Sequence, residues 1–395
     1  KTIFGYPGGA IMPIYDALFD HLEEVNHVLT RHEQGAIHAA QGYARTSGKT
    51  GVVFATSGPG ATNLITGLAD ALIDSTPLVC ITGQVASHLL GTDAFQETDV
   101  MGISMPVTKW NCQVTKAADI APALAKAFYI ASSGRPGPVL LDITKDAQFE
   151  KLDFSYEKCT AVRSFQPKPK LNADQLQAAS KLLNEAKKPL MIVGQGIMLS
   201  NAEEELLVFA EKTGVPVAST LLGLGAFPAN HPQFVGMVGM HGNYAPNVKS
   251  NECDVLLAVG MRFDDRVTGD VSRYAKQAKV VHIDIDAAEI NKIIKADAPV
   301  LADAKEALAF LTDRVEKQNH QSWLDEFHHA KENELQVLSK NRNNDFADQI
   351  RMDLVIDLLS QKTNGNAVIV TDVGQHQMMA AQFYQYNQTK SNVTS

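Results

Sequence analysis

Apolar residues follow two alternating patterns along this chain. Short runs rich in Val, Ile and Leu, such as GVVFA (51–55), PLVCITG (77–83) and GPVLLDIT (137–144), read as strands. Between them lie stretches with apolar residues three or four positions apart, as in AIMPIYDALFDHL (10–22) and ATNLITGLADALI (61–73), which read as helices. The strand runs are apolar on both faces, the signature of a parallel sheet covered by helices on each side. The rhythm lapses after 145, where QPKPK (166–170) reads as a linker. It resumes with KPLMIVGQG (188–196), VPVASTL (215–221), CDVLLAVGM (253–261) and AKVVHIDID (278–286). A charged helical stretch then ends in a loop-like run, Lys340 to Asp345, before a third block: helix MDLVIDLLSQ, strand AVIVTD and VGQHQMMAAQF. The fold class expected is α/β, built from successive doubly wound parallel-sheet domains.

Composition narrows the function without naming it. The 395 residues are 45% hydrophobic and 20% charged, an ordinary soluble globular balance too long for a single core. A net charge of −9 argues against nucleic acid as main partner, and no apolar run is long enough to span a bilayer. Cys80, Cys112, Cys159 and Cys253 are widely spaced without a CxxC pair, which suits reduced cytosolic thiols. The sequons at Asn387 and Asn392 read as chance matches. With no initiator Met and no terminal tail, the sequence reads as cut at both ends.

Several segments at strand ends carry candidate chemistry. Thr30-Arg31-His32-Glu33 has capping-box spacing, with Thr30 at N-cap and Glu33 at N3, so Glu33 is either a cap or a carboxylate placed to move a proton. Gly58 and Pro59, in SGPGATN, sit between strand and helix, where glycine lets backbone approach a ligand; a tight turn is the plainer reading. Gly194-Gln195-Gly196 is a weak dinucleotide hint that lacks the third glycine. Arg262 follows a strand and suits a carboxylate or phosphate, against an Arg–Asp surface network. Asp284 and Asp286 suit a ribose hydroxyl, against a helix N-cap. Asp372 to Met378 alone are unreadable.

Together the segments say more. FGYPGG (4–9), RHEQGA (31–36), ATSGPGATN (55–63), GTDAFQE (91–97), SGRPGPV (133–139), GMHG (239–242), VGMRFDDRVTG (259–269), HIDID (282–286) and TDVGQHQM (371–378) occur in this order. The whole chain thereby resembles the large catalytic subunits of the acetohydroxyacid (acetolactate) synthase family. The resemblance implies a pyrimidine-binding domain for thiamine diphosphate over 1–150, a linker over 151–172 and a central FAD domain over 173–315. A connector over 316–350 and the start of a pyrophosphate-binding domain over 351–395 follow. It also implies the reaction: pyruvate is decarboxylated on thiamine diphosphate and its two-carbon unit joined to pyruvate or 2-oxobutyrate, a first step toward valine, leucine and isoleucine.

The resemblance also assigns residues. Glu33 matches the glutamate that hydrogen-bonds N1′ of the cofactor's aminopyrimidine. Phe95, Gln96 and Lys145 match residues lining the approach to the reacting centre, and Arg262 the arginine for the acceptor carboxylate. Arg135 matches a flavin contact. Gly242, Arg262, Asp264, Asp284, Asp286 and Asp303 mark the implied flavin-binding stretches. Val373, Gly374, Gln375, His376, Gln377 and Met378 match the first contacts of the third domain with thiamine diphosphate. Mg²⁺ is implied, but its GDG segment is not in the sequence, so no metal ligand is assigned and this piece alone is expected to be inactive. A homodimer or tetramer with active sites between subunits, a regulatory small subunit and a cytoplasmic location (plastid in a eukaryote) complete what the resemblance implies. A pyruvate-oxidase-like relative is the nearest alternative; glyoxylate carboligase fits less well because it lacks the glutamate, and a non-catalytic flavin protein is the third.

Overall fold

The computed structural model describes residues 1–344 and 350–394, which divide into two compact units, Lys1–Pro167 and Lys168–Ser395. The first unit carries strands β1 (Thr2–Gly5), β2 (Asn26–Leu29), β3 (Gly51–Ala55), β4 (Leu78–Gln84), β5 (Trp110–Val114) and β6 (Pro138–Thr144). They form one six-stranded sheet in the order β2-β1-β3-β4-β6-β5, every pair parallel. β4 and β6 are buried along their whole length, as their unbroken apolar runs require. Alternate residues of β4 feed opposite cores: Leu78 and Cys80 pack with Ile37 and Leu68, Val79 and Ile81 with Ile130 and Leu141.

The small-residue face of helix Glu33–Ser47 has a packing reason. Ala36, Ile37, Ala40 and Ala44 are buried there. A Cβ on Gly51 would lie 2.5 Å from the Ala40 carbonyl oxygen, so helix and sheet meet closer than larger side chains allow.

The second unit carries β7 (Pro189–Val193), β8 (Val217–Ser219), β9 (Phe234–Met237), β10 (Val255–Val259), β11 (Lys279–Asp284) and β12 (Ala298–Leu301). Their order, β12-β11-β10-β7-β8-β9, is again all parallel, and is the dinucleotide-fold order read from the other edge. Helices Ala173–Glu185, Glu203–Thr213 and Ala304–Arg314 pack on one face. Helix Gln321–Asn344, in the stretch the sequence marks as a connector, buries Trp323, Leu324 and Phe327 with the core of the other face. The Trp323 Nε1–H donates to the Pro189 carbonyl at 2.8 Å. This helix runs on through residues 340–344, where a loop was expected; Asp345 lies outside the described residues. A short parallel pair, β13 (Ile369–Val370) with β14 (Asn392–Val393), closes this unit beside helices Met352–Thr363 and Gln375–Phe383.

The order of adding strands reverses between β1 and β3 in the first sheet, where β6 later also turns back to lie inside β5, and between β7 and β10 in the second; these two central reversals are the switch points. Ligands of open parallel sheets bind beyond the C-terminal strand ends at such points.

Candidate active site

At the first switch point, the local backbone decides the role of Glu33. The N-cap of its helix is His32, extended at φ −159° and ψ 145°, whose Nδ1 accepts from the Gln34 N–H at 3.1 Å. Glu33 is therefore the first helical residue, and the capping box expected from Thr30 does not form. Thr30 is held elsewhere: its hydroxyl donates to the Gly5 carbonyl at 3.3 Å and to that of His32 at 3.2 Å. The Glu33 side chain, only 8% exposed, instead accepts at Oε2 from Asn63 Nδ2 at 2.9 Å.

Glycines shape the space around this carboxylate. A Cβ on Gly60 would sit 3.4 Å from Glu33 Oε1 and 2.8 Å from Thr56 Cγ2. A Cβ on Gly8 would meet Thr56 at 2.5 Å, and the Thr56 hydroxyl accepts from the Ala10 N–H at 3.2 Å. The loops leaving β1, β2 and β3 thus converge on one buried acid. Tyr15 also lies in its field: burial and the nearby Glu33 charge push its hydroxyl far up. The Tyr15 hydroxyl lies 3.2 Å from His27 Nε2. Sequence reasoning gave neither Tyr15 nor Asn63 a role, although Asn63 stood inside the ATSGPGATN motif.

Gln96 is brought to the same place. Its φ is +59°, and it faces Gly58 at φ +55°, where a Cβ would lie 2.7 Å from the Gln96 carbonyl oxygen. Pro59 follows as the first residue of a one-turn helix, Pro59–Thr62. Phe95 beside it is 88% exposed. The loop is braced from within by Glu97, which accepts from the N–H groups of Gly91 and of Ala94, the latter at 3.0 Å. The Gly91 bond, with those of neighbouring amides, holds the Glu97 carboxyl below its usual range against some desolvation. The folded value being the lower, this bracing is present above the ordinary glutamate pKa and is lost as pH falls from there through the lowered value. Glu97→Gln is therefore expected to expose residues 91–98 to protease at neutral pH, and the parent chain only in acid, read by mapping the first cleavage sites. Equal resistance of both chains at neutral pH would remove the brace.

Lys145 opens helix Lys145–Phe149 at the C-terminal end of β6 and is exposed. Its neighbour Asp146 accepts from the Ser87 N–H at 3.0 Å and from the Ser87 hydroxyl, tying down the start of the same loop. Arg135 precedes β6, so it lies at the opposite end of the sheet from Glu33; it donates to Ser75 Oγ at 2.9 Å and to the Ile73 carbonyl at 3.4 Å.

At the second switch point, three glycines set the shape. A Cβ on Gly194 would lie 2.3 Å from the Gly260 carbonyl oxygen, and one on Gly196 2.6 Å from Gly260 Cα. Arg262 follows directly, partly exposed, with Nη2 3.9 Å from Asp264 Oδ2. The Asp264 carboxylate caps the turn Asp265–Thr268, accepting from the N–H groups of Arg266 (3.1 Å) and Val267 (3.0 Å). Asp284 ends β11 and accepts from the Asp286 N–H at 2.8 Å; Asp286 accepts from that of Ala288 at 2.9 Å. No helix follows, so the helix-cap alternative for these two aspartates does not hold. Asp303 caps helix Ala304–Arg314 and pairs with Lys168 at 3.0 Å. Gly242 serves a tight turn, where a Cβ would meet the Met237 carbonyl oxygen at 2.3 Å. Ser219, at the end of β8, was not anticipated: its Oγ is buried with no hydrogen-bond partner.

In the last block, Val373, Gln375 and His376 are exposed and Met378 half-buried. Gly374 begins its helix at φ +152°, and Asp372 Oδ1 accepts from the Val373 N–H at 2.7 Å. Gln377 turns inward, donating to Thr394 Oγ1 at 2.7 Å. Among the described residues no cluster of three or more His, Cys, Asp or Glu is placed to hold a metal, and no helix is long and apolar enough to cross a membrane.

The buried acid at the first switch point fits a thiamine pyrimidine ring: a carboxylate fixed on one oxygen, with Gly60 leaving room beside the other. The orphaned Ser219 hydroxyl beside the glycine-lined second switch point fits a dinucleotide-class group.

Comparison with known proteins gives the family. The profile of the thiamine pyrophosphate enzyme N-terminal TPP-binding domain matches residues 1–103, and that of the thiamine pyrophosphate enzyme central domain matches 176–311. Over its whole length the chain is 47% identical to the acetolactate synthase large subunit of Corynebacterium glutamicum, covering 63% of that protein. It is 45% identical to the acetolactate synthase large subunits of Buchnera aphidicola and Lactococcus lactis, covering 69% and 68% of them. The chain thus spans roughly two thirds of the length of the curated relatives it matches, 63% of the first. With both domain profiles in chain order and 45–47% identity in alignments that cover the whole chain, the chain belongs to the acetolactate synthase large-subunit family of thiamine pyrophosphate enzymes.

Proposed function

We propose that the protein of which this chain is part makes 2-acetolactate from two pyruvates and 2-aceto-2-hydroxybutyrate from pyruvate and 2-oxobutyrate. The observation that carries the reading is Glu33: a buried carboxylate at a switch point, oriented by Asn63 and free of any capping duty. Thiamine diphosphate, when bound with Mg²⁺, supplies the electron sink for loss of carbon dioxide and for carbon–carbon bond formation. Everything else falls to protein groups. Glu33 holds a proton against a ring nitrogen in a site from which water is largely excluded, where such a bond is strong. Asn63 fixes the carboxylate's rotation. Gln96, Phe95 and Lys145 border the approach of the 2-oxo acid. Arg262 meets the acceptor's carboxylate with its two parallel N–H donors.

FAD is the proposed occupant of the second switch point, with Arg262, Asp284 and Asp286 at its rim and Gly242, Asp264 and Asp303 shaping it. Asp264 and Asp303 act there by fixing backbone, since their carboxylates already accept from it. Arg135 remains a proposed flavin contact, and Val373 to Met378 a proposed thiamine diphosphate contact. We place the protein in the cytoplasm, as an oligomer with a regulatory small subunit.

The test is acetolactate formation from pyruvate by the full-length protein supplied with thiamine diphosphate, Mg²⁺ and FAD. Acetolactate without net oxidant consumption is expected. Acetyl phosphate or acetate formed with reduction of the flavin would replace this reading with an oxidase.

A further inference from the structure

The first unit buries an acid that the proposed chemistry does not use. Asp142, in the middle of β6, is fully buried. Its Oδ1 accepts from Thr82 Oγ1 at 2.7 Å; its Oδ2 accepts from Gln84 Nε2 at 3.0 Å and Gln113 Nε2 at 3.1 Å. All three donors are neutral. Burial pushes this carboxyl up despite those bonds. A buried acid without a cation is a costly way to fill a sheet interior, and apolar residues of like volume often serve stability better.

What the acid does is fix an amide. Gln84, also fully buried, is the last residue of β4. Its Nε2 donates both to Asp142 Oδ2 and to the Thr98 carbonyl oxygen at 3.1 Å, and its Oε1 accepts from the Val85 N–H at 2.9 Å. Flipping the amide would set its oxygen against two acceptors, so the orientation is unique while Asp142 is present. Thr98 lies two residues beyond Gln96, whose left-handed backbone rests on Gly58. Glu97 braces the loop from inside and Ser87–Asp146 ties its start; the Gln84 amide holds its end.

We propose that Asp142 and Gln84 are positioning residues for the reaction: the buried acid orients the Gln84 amide, which holds Thr98 and so sets Gln96 beside the Gly58–Gly60 turn. The inference rests on the reading that Gln96 borders the reacting ligand. Its signature is specific to the loop. Gln113 donates to the same Asp142 oxygen but is not bonded to the loop in this way, so Gln113→Leu disturbs the buried acid without releasing Thr98.

The experiment uses the full-length holoenzyme. Gln84→Leu removes the amide. Gln84→Asn keeps a buried amide one methylene too short to reach Thr98, and serves if the leucine variant folds poorly. Each is expected to lower kcat/KM for pyruvate by on the order of tenfold or more, chiefly through KM, because a small misplacement of a substrate-positioning group carries that cost. Amide exchange across 94–98, measured without substrate, should quicken in both variants and stay at the parent rate in Gln113→Leu, as should its kcat/KM. The double variant Gln84→Leu/Gln96→Ala should be no worse than Gln96→Ala alone. Losses that add in the double variant, or a Gln113→Leu enzyme as impaired as Gln84→Leu, overturn the positioning role. An impaired Gln96→Ala beside an unimpaired Gln84→Leu also overturns it and leaves the site reading standing. Gln96→Ala at the parent rate sinks the site reading, and the positioning role with it.

Discussion

Glu33→Gln in the full-length protein is expected to lower acetolactate formation by roughly 10³-fold, within the range a positioned proton-transfer group contributes. The substitution is nearly isosteric. The new amide can still accept from Asn63 through its oxygen, which leaves its NH₂, a donor only, where a proton must be accepted and returned. Stability should change little. As the first residue of its helix, Glu33 favours the helix dipole by about 0.3–1 kcal/mol, and the glutamine forgoes only that. The two readings of Glu33 therefore separate by turnover: both predict the same small shift in melting temperature, but a helix-end role leaves parent turnover and a proton role abolishes most of it. Asn63→Leu should fall between them, since it frees the carboxylate to rotate without removing it. Parent turnover in Glu33→Gln would end the proton assignment.

The capping reading failed for a reason the sequence does not display. The spacing from Thr30 to Glu33 is correct for a box, but the Thr30 hydroxyl is drawn to the Gly5 carbonyl of β1, and the helix starts later, at Glu33 with His32 as its cap. A tertiary contact outweighed a local pattern. Strands showed the same division. β4, β6, β7 and β10 are buried end to end and stood out as apolar runs. β5, β9 and β12 did not. β5 alternates Trp110, Asn111, Cys112 and Gln113 at a half-buried edge, and β12 is four residues with Pro299 inside it. The glycine turns were legible because a strand, a glycine and a helix in sequence already imply close backbone. Tyr15, Gln84 and Asp142 were not, since each looks like a stray polar residue in an apolar element until the sheet brings its partners together. Asp142 did leave a trace: an aspartate inside VLLDIT, where a parallel strand should be apolar throughout.

The second large effect concerns the shape of the other switch point. Gly260→Ala is expected to destabilise the second unit by about 3 kcal/mol, from two costs. Its φ of +57° is left-handed, which a side chain opposes by roughly 1–2 kcal/mol. A Cβ there would also lie 2.7 Å from Gly196 Cα, against backbone that cannot rotate away, an overpacking of roughly 1–3 kcal/mol. That backbone is pinned on both sides, since the Gly196 N–H donates to the Gly260 carbonyl at 2.9 Å and the Gly260 N–H to that of Ile283 at 2.9 Å. Gly269 supplies the control: its φ is +56°, yet no atom lies within 4 Å of its Cβ position. Gly269→Ala should show a conformational cost alone, that of its own backbone at φ +56° and ψ −124°, with no contact to overpack. For a unit of this size the full loss corresponds to a melting temperature about 10 °C lower, against a few degrees for the control. If flavin occupies this site, Gly260→Ala should also retain less of it through purification, seen in the visible absorbance, while Gly269→Ala retains the parent amount. Equal melting of the two variants would mean that the turns after β7 and β10 do not meet as closely as their glycines require, and the groove proposed for the flavin would lose its floor.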